Sequence, residues 1–217
     1  MTTKLSREVP VEPNRTALLF IDVQNFCAHP EGMEFADLSS EEFTSRLDFY
    51  FQTLRDTALP NMRQLQSRCR EAGIEVMYTV IESLTRDGRD RSLDYKITGF
   101  NVLPGSWDAR VLEEMEPLDD EIVIPKTSSS VFISTNIDYV LRNLGVRHLI
   151  LAGVVTDQCI ESAVRDACDL GYLVTLIPDA CTTYTQERHD ASLKAIKGYC
   201  RMRTTAELIR ELPLPGR

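Results

Sequence analysis

Three side chains that lie far apart along the chain have complementary chemistry: Asp22, Lys126 and Cys159. Asp22 closes the apolar run TALLFIDV, Lys126 closes EIVIPK, and Cys159 follows HLILAGV by a few residues. A carboxylate can take a thiol proton, an ammonium can hold a developing anion, and a thiolate can attack a carbonyl. Taken singly each signal is weak. An aspartate often caps a turn, a lysine can reach solvent, and a buried free cysteine mostly serves as a small hydrophobe. Cys159 gains weight from its place at the first turn of a helix. Unpaired N–H groups and the positive end of the helix dipole favour thiolate there, and with a lysine nearby the sequence predicts a sulfur poised at neutral pH.

The elements that must position these groups alternate between strand and helix. Apolar runs predict strands at Thr16 to Val23, Glu75 to Ile81, Glu121 to Lys126, His148 to Val154 and Tyr172 to Asp179, with a short extended CRMRT later. Helical patterns fall between them: a long stretch from about Glu41 to Ala72 interrupted near Pro60, a short WDARVLEEM, TNIDYVLRNLG, ESAVRDACDLG, QERHDASLKAIKGY and AELIREL. Repeated βα units imply a three-layer α/β/α fold with a mainly parallel sheet. Ligands of such sheets bind beyond the carboxyl ends of the strands, where all three candidate residues fall.

Composition narrows the function classes. The chain has 217 residues, 43% of them hydrophobic, and no compositional break, so a single domain over 1–217 with its core at about 16–208 is expected. A net charge of -9 argues against nucleic acid or acidic membranes as partners and leaves a small-molecule substrate. With no long apolar segment and no leader pattern at MTTKLSREVP, a cytoplasmic location is expected. The six cysteines form no CxxC pair, and the three histidines, His29, His148 and His189, lie in separate elements, so neither a metal nor another cofactor is expected.

The motifs LLFIDVQNFC, IVIPKTSSSVF and LAGVVTDQCIESAVRDACDLGY, in this order, resemble those of the isochorismatase-like cysteine hydrolases. That resemblance spans about Thr16 to Leu208. It implies strand order 3-2-1-4-5-6, a catalytic triad of Asp22, Lys126 and Cys159, a cis peptide between Val154 and Val155, and an oxyanion hole from the N–H groups of Val155 and Cys159. It also implies a homo-oligomer, dimer or tetramer. Metal-dependent nicotinamidases of the group carry histidines after the second strand, whereas here VIESLTRDGRDRSLDYK has none. The branch most resembled acts on ureido or carbamoyl compounds such as biuret, triuret or ureidoacrylate through a covalent thioester-type intermediate. An isochorismatase-type or other small-amide hydrolase, and a non-catalytic binding member, are the alternatives.

Specificity is expected from the segment Glu82 to Lys96, in which Arg86, Arg89 and Arg91 alternate with acidic residues. Arg91 and Tyr95 are the expected substrate contacts, the guanidinium being suited to a carboxylate. Gln24, Phe26 and Gln158 are further candidates by position, followed by Asn25, Trp107, Thr127, Ser128 and Phe132.

Overall fold

The computed structural model describes residues 5–213. Strands β1 (Thr16–Ile21), β2 (Glu75–Ile81), β3 (Ile122–Lys126), β4 (His148–Val154), β5 (Leu173–Thr182) and β6 (Arg201–Met202) form one parallel sheet in the order β3-β2-β1-β4-β5-β6. The order reverses between β1 and β4, which places the switch point where the sequence reading puts Asp22 and Cys159.

The apolar runs are continuous because the central strands are covered on both faces. Along β1, Leu18 and Phe20 join a layer with Met62, Leu65 and Leu208, while Ala17, Leu19 and Ile21 join the opposite layer with Ile137, Leu141 and Val164. Period-2 alternation thus feeds two cores from one strand, each large side chain contributing about 1.5–3 kcal/mol on burial.

The helices are α1 (Asn25–Ala28), α2 (Ser40–Thr53), α3 (Leu59–Glu71), α4 (Leu93–Thr98), α5 (Val131–Ser134), α6 (Ile137–Asn143), α7 (Glu161–Asp169), α8 (Gln186–Ile196) and α9 (Thr205–Glu211). The interruption expected near Pro60 is a π-helical turn, Leu54–Ala58, just before Pro60, which has no N–H to donate within the helix. Two local expectations are corrected. WDARVLEEM is helical only in a 3₁₀ turn, Glu113–Met115, because Asn25 and Phe26 donate their N–H groups to Arg110 and Asp108 and Leu112 donates to Val23, which holds the rest of the segment against the residues after β1. The polar stretch before Lys96 ends in a helix, α4, whose Tyr95 N–H is capped by the Ser92 hydroxyl.

Gly153 lets β1 and β4 approach at the switch point. Its φ is +130°, and a Cβ there would fall 2.2 Å from the Ile21 carbonyl oxygen. The two chains that carry Asp22 and the Cys159 turn therefore leave the sheet side by side.

Candidate active site

Asp22 is the first residue beyond β1 and adopts φ 56°, a left-handed conformation that aspartate tolerates better than most residues. Its N–H donates to the Thr79 carbonyl at 3.1 Å, and its Oδ1 accepts from the Thr79 hydroxyl at 3.0 Å. Those two bonds to β2 lock the carboxylate at the strand end, where it is 1% exposed. Apart from its pairing with Lys126, Oδ2 has no well-aligned hydrogen-bond partner among the described residues. It lies 2.9 Å from Lys126 Nζ as an ion pair and is free to accept a proton.

Lys126 comes from β3, two strands away from β1, a gap of roughly 10 Å that calls for a long side chain. Its ammonium is fully buried and meets four groups: Asp22 Oδ2 at 2.9 Å, Tyr95 Oη at 3.0 Å, the Ser128 carbonyl at 2.9 Å and Cys159 Sγ at 3.4 Å. Burial works against its proton, yet the Asp22 charge leads the influences that outweigh burial and hold Lys126 well above the ordinary lysine range.

Cys159 sits in a π-helical turn, Thr156–Ile160, between β4 and α7. The Val155 carbonyl receives the N–H groups of Gln158 and Ile160, a wide turn that sets the Cys159 sulfur against Lys126. The Val154–Val155 peptide is cis. The environment does not favour the resting thiolate expected from the sequence: burial pushes the Cys159 thiol up to about 12, against the attraction of Lys126 and with the nearby Asp22 charge adding to the rise. A thiol flanked by one carboxylate and one ammonium keeps its proton, since the buried cation is already neutralised by Asp22.

Asp22 and Cys159, with Lys126 buried behind them, line a cavity of about 330 Å³ whose walls also include Cys27, Glu34, Tyr95, Gln158 and Tyr184. A family model described as the isochorismatase domain matches residues 16–207. The chain belongs to the isochorismatase family.

Ureidoacrylate amidohydrolase RutB of Rhizobium rhizogenes is 25% identical over 219 residues, covering 88% of this chain and 85% of its own. RutB of Agrobacterium fabrum is also 25% identical, covering 88% and 91%. Among solved structures, a cysteine hydrolase from Pseudomonas syringae is 24% identical and superposes with a TM-score of 0.77 over 97% of this chain and 98% of its own. N-carbamoylsarcosine amidase from Thermoplasma acidophilum is 22% identical with a TM-score of 0.66, covering 89% and 98%. Within the isochorismatase family the chain is an enzyme of the hydrolase class.

This isochorismatase-family cavity takes in only part of the set expected as substrate contacts. Tyr95 and Gln158 line it. Gln24 does not: its amide is buried, donating to the Ile81 and Asp108 carbonyls and accepting from the Ile81 N–H, so it ties β1 to β2. Phe26 packs edge-on against Phe100 in the core. Arg91 does not reach the cavity either, because its guanidinium donates to the carbonyls of Gly88, Tyr95 and Phe100 and braces the loop from within. Asn25 and Trp107 line a separate surface concavity, Ser128 contributes its carbonyl to Lys126, and Thr127 and Phe132 lie outside the cavity wall.

Cys27, Glu34 and Tyr184 were not legible as site residues. Cys27 Sγ donates to the Asp22 carbonyl at 3.1 Å, and burial raises its thiol well above the ordinary range. Glu34 and Tyr184 share a hydrogen bond of 2.6 Å across 150 residues of sequence, a pairing that no local pattern encodes. His29 packs on Trp107, His148 bonds Thr175 and His189 bonds Thr156. Among the described residues no group of three or more histidine, cysteine or acidic side chains is arranged to hold a metal.

Proposed function

We propose that this chain is a cysteine-dependent amidohydrolase that cleaves a C–N bond of a small ureido or carbamoyl compound. The observation that carries the reading is the contact of Cys159 Sγ and the Asp22 carboxylate with one buried ammonium, Lys126, behind the wall of a small cavity. The RutB relatives, named as ureidoacrylate amidohydrolases, support the bond type.

In the proposed cycle the thiol is deprotonated only as it reacts. Asp22 Oδ2 takes the proton while Sγ adds to the carbonyl carbon, so no free thiolate accumulates beside a carboxylate. The oxygen of the tetrahedral adduct gathers negative charge, received by the N–H groups of Val155 and Cys159. Donors of this kind are worth about 3–4 kcal/mol each where they have been removed. Lys126 keeps the sulfur and the carboxylate in register and offsets the charge that moves between them. Collapse of the adduct breaks the C–N bond, and Asp22 returns the proton to the departing ammonia or amine. Water, deprotonated by Asp22, then attacks the acyl or carbamoyl thioester and releases Cys159 as thiol. Tyr95, whose oxygen accepts from Lys126, keeps its own O–H for the substrate; burial holds that phenol far above the usual range.

The single domain, the cytoplasmic location and the homo-oligomeric assembly belong to the same proposal, and no helix of the described residues is long and apolar enough to cross a membrane. Ammonia release from biuret, triuret, ureidoacrylate, N-carbamoylsarcosine, nicotinamide and simple amides, with Cys159→Ser beside the wild type, tests it. Turnover of a ureido compound that disappears in the variant is the expected result. Undiminished turnover in Cys159→Ser, or silence across the panel and with ureas of the same size bearing an amine, the protein being folded, would remove the proposal.

A further inference from the structure

The cavity wall carries two carboxyl groups besides Asp22, namely Glu34 and Asp94, and no arginine, lysine or histidine lines it. The one ammonium close by, Lys126, is buried behind the wall and occupied by Asp22, Tyr95, Ser128 and Cys159. Glu34 is positioned by the short turn Met33–Phe35, and its Oε1 accepts from Tyr184 Oη at 2.6 Å. Among the described residues Glu34 has no ion-pair partner and no second hydrogen bond. Beyond the wall Arg188 stacks 5.0 Å from the Tyr184 ring centroid and pairs with Asp157 at 2.6 Å. A substrate with a carboxylate would enter a negative pocket without any guanidinium to receive it, and Arg91, the group suited to that task, is turned into its own loop.

Resting on the hydrolase reading above, we propose that Glu34, held by Tyr184, is the specificity residue of this site and receives a cationic nitrogen at the end of the substrate remote from the scissile carbonyl. The substrate class is a small ureido or carbamoyl compound bearing an ammonium or amidinium group, and compounds ending in a carboxylate are rejected. A cavity of about 330 Å³ has ample room for a compound of this size. The titratable and charged groups around Glu34 are Asp22 after β1, Cys27 on α1, Tyr50 on α2, Asp94 on α4 and Tyr184 after β5, with Arg188 on α8 behind the tyrosine ring. Burial lifts the Glu34 carboxyl to about 7 against the Tyr184 hydrogen bond, with the Asp22 charge adding to the rise. A cation binds the ionised form, so its advantage grows as pH rises through neutrality.

The test uses three compounds of nearly equal size: (2-aminoethyl)urea, n-propylurea and N-carbamoylglycine. Their dissociation constants are measured by calorimetry on the full chain carrying Cys159→Ala, at about pH 6 and pH 8, and again with Glu34→Gln added. The cation should bind about tenfold tighter than propylurea at the higher pH and N-carbamoylglycine weakest of all, with the ratio shrinking at the lower pH. In Glu34→Gln the cation and propylurea should come within about twofold of each other. A flat or reversed order, no binding of the cation, or a preference that survives Glu34→Gln would overturn the inference. The pH dependence alone decides the matter if that variant does not fold. Turnover of the same compounds by the unmodified chain separates the two readings: ordered binding without C–N cleavage defeats the hydrolase proposal alone, whereas cleavage in flat or reversed order defeats this inference alone.

Discussion

A buried ammonium needs one counter-anion, and Lys126 has two groups able to fill that place. With Asp22 ionised, Cys159 stays a thiol, its proton held by burial and by the neighbouring carboxylate. In Asp22→Asn the sulfur becomes the only anion within reach of Lys126. Alkylation of Cys159 at neutral pH should therefore speed up by about tenfold or more in Asp22→Asn while turnover falls by roughly 10²–10⁴. The reading must be site-resolved, for example by peptide mass spectrometry, because Cys168 is the one cysteine of the six that is not fully buried. Slower labelling in the variant would show that Asp22 does not hold the thiol protonated. Lys126→Met removes the cation and leaves Asp22 charged and alone at 1% exposure. A loss of about 3–5 kcal/mol in denaturant unfolding is expected, part of it recovered in Asp22→Asn/Lys126→Met. An additive double variant would mean that the two side chains are not coupled.

At the scale of elements, the loop between β2 and α4 shows how an arginine can be misread. Its charge and position suit substrate binding, but the backbone carbonyls of Gly88, Tyr95 and Phe100 sit closer than the cavity and take the guanidinium. Arg91→Ala should destabilise the fold by about 1–3 kcal/mol through those unpaired carbonyls. It should also raise KM by one common factor for neutral and charged substrates, because it loosens the helix that aims Tyr95. A selective loss of carboxylate substrates in that variant would restore Arg91 as a direct contact. The segment Trp107 to Met115 makes the same point for backbone. Its apolar spacing suits a helix, and the open N–H groups of Asn25 and Phe26 claim it instead. Local pattern cannot see a competitor 80 or more residues away, such as the bond from the Asn25 side chain to the Trp107 carbonyl.

The whole molecule responds to acid through a histidine far from the cavity. His148 opens β4, is 4% exposed and bonds the Thr175 hydroxyl at 2.7 Å, a group that also accepts from buried Arg201. Burial, with the Arg201 charge, lowers its pKa from 6.5 to about 4. Between those values the unfolded chain takes up a proton that the folded chain refuses. Stability therefore falls as pH drops below 6.5 and levels off near 4, by up to roughly 3 kcal/mol from this group. Urea unfolding across that range should show the slope, and His148→Gln should remove most of it; an unchanged slope would assign it to other groups. The sequence alone determined the alternation of strands and helices, the strand ends that carry Asp22 and Lys126, and the place of Cys159 just beyond the fourth strand, because burial on both faces writes itself as continuous apolar runs and charges that end them stand out. Only the tertiary structure decided how deeply Cys159 is buried beside Asp22 and Lys126, the inward turn of Arg91 and the meeting of Glu34 with Tyr184. Those depend on how deeply a group is covered and on which distant partner arrives first, and both are properties of the packed layers rather than of any stretch of chain.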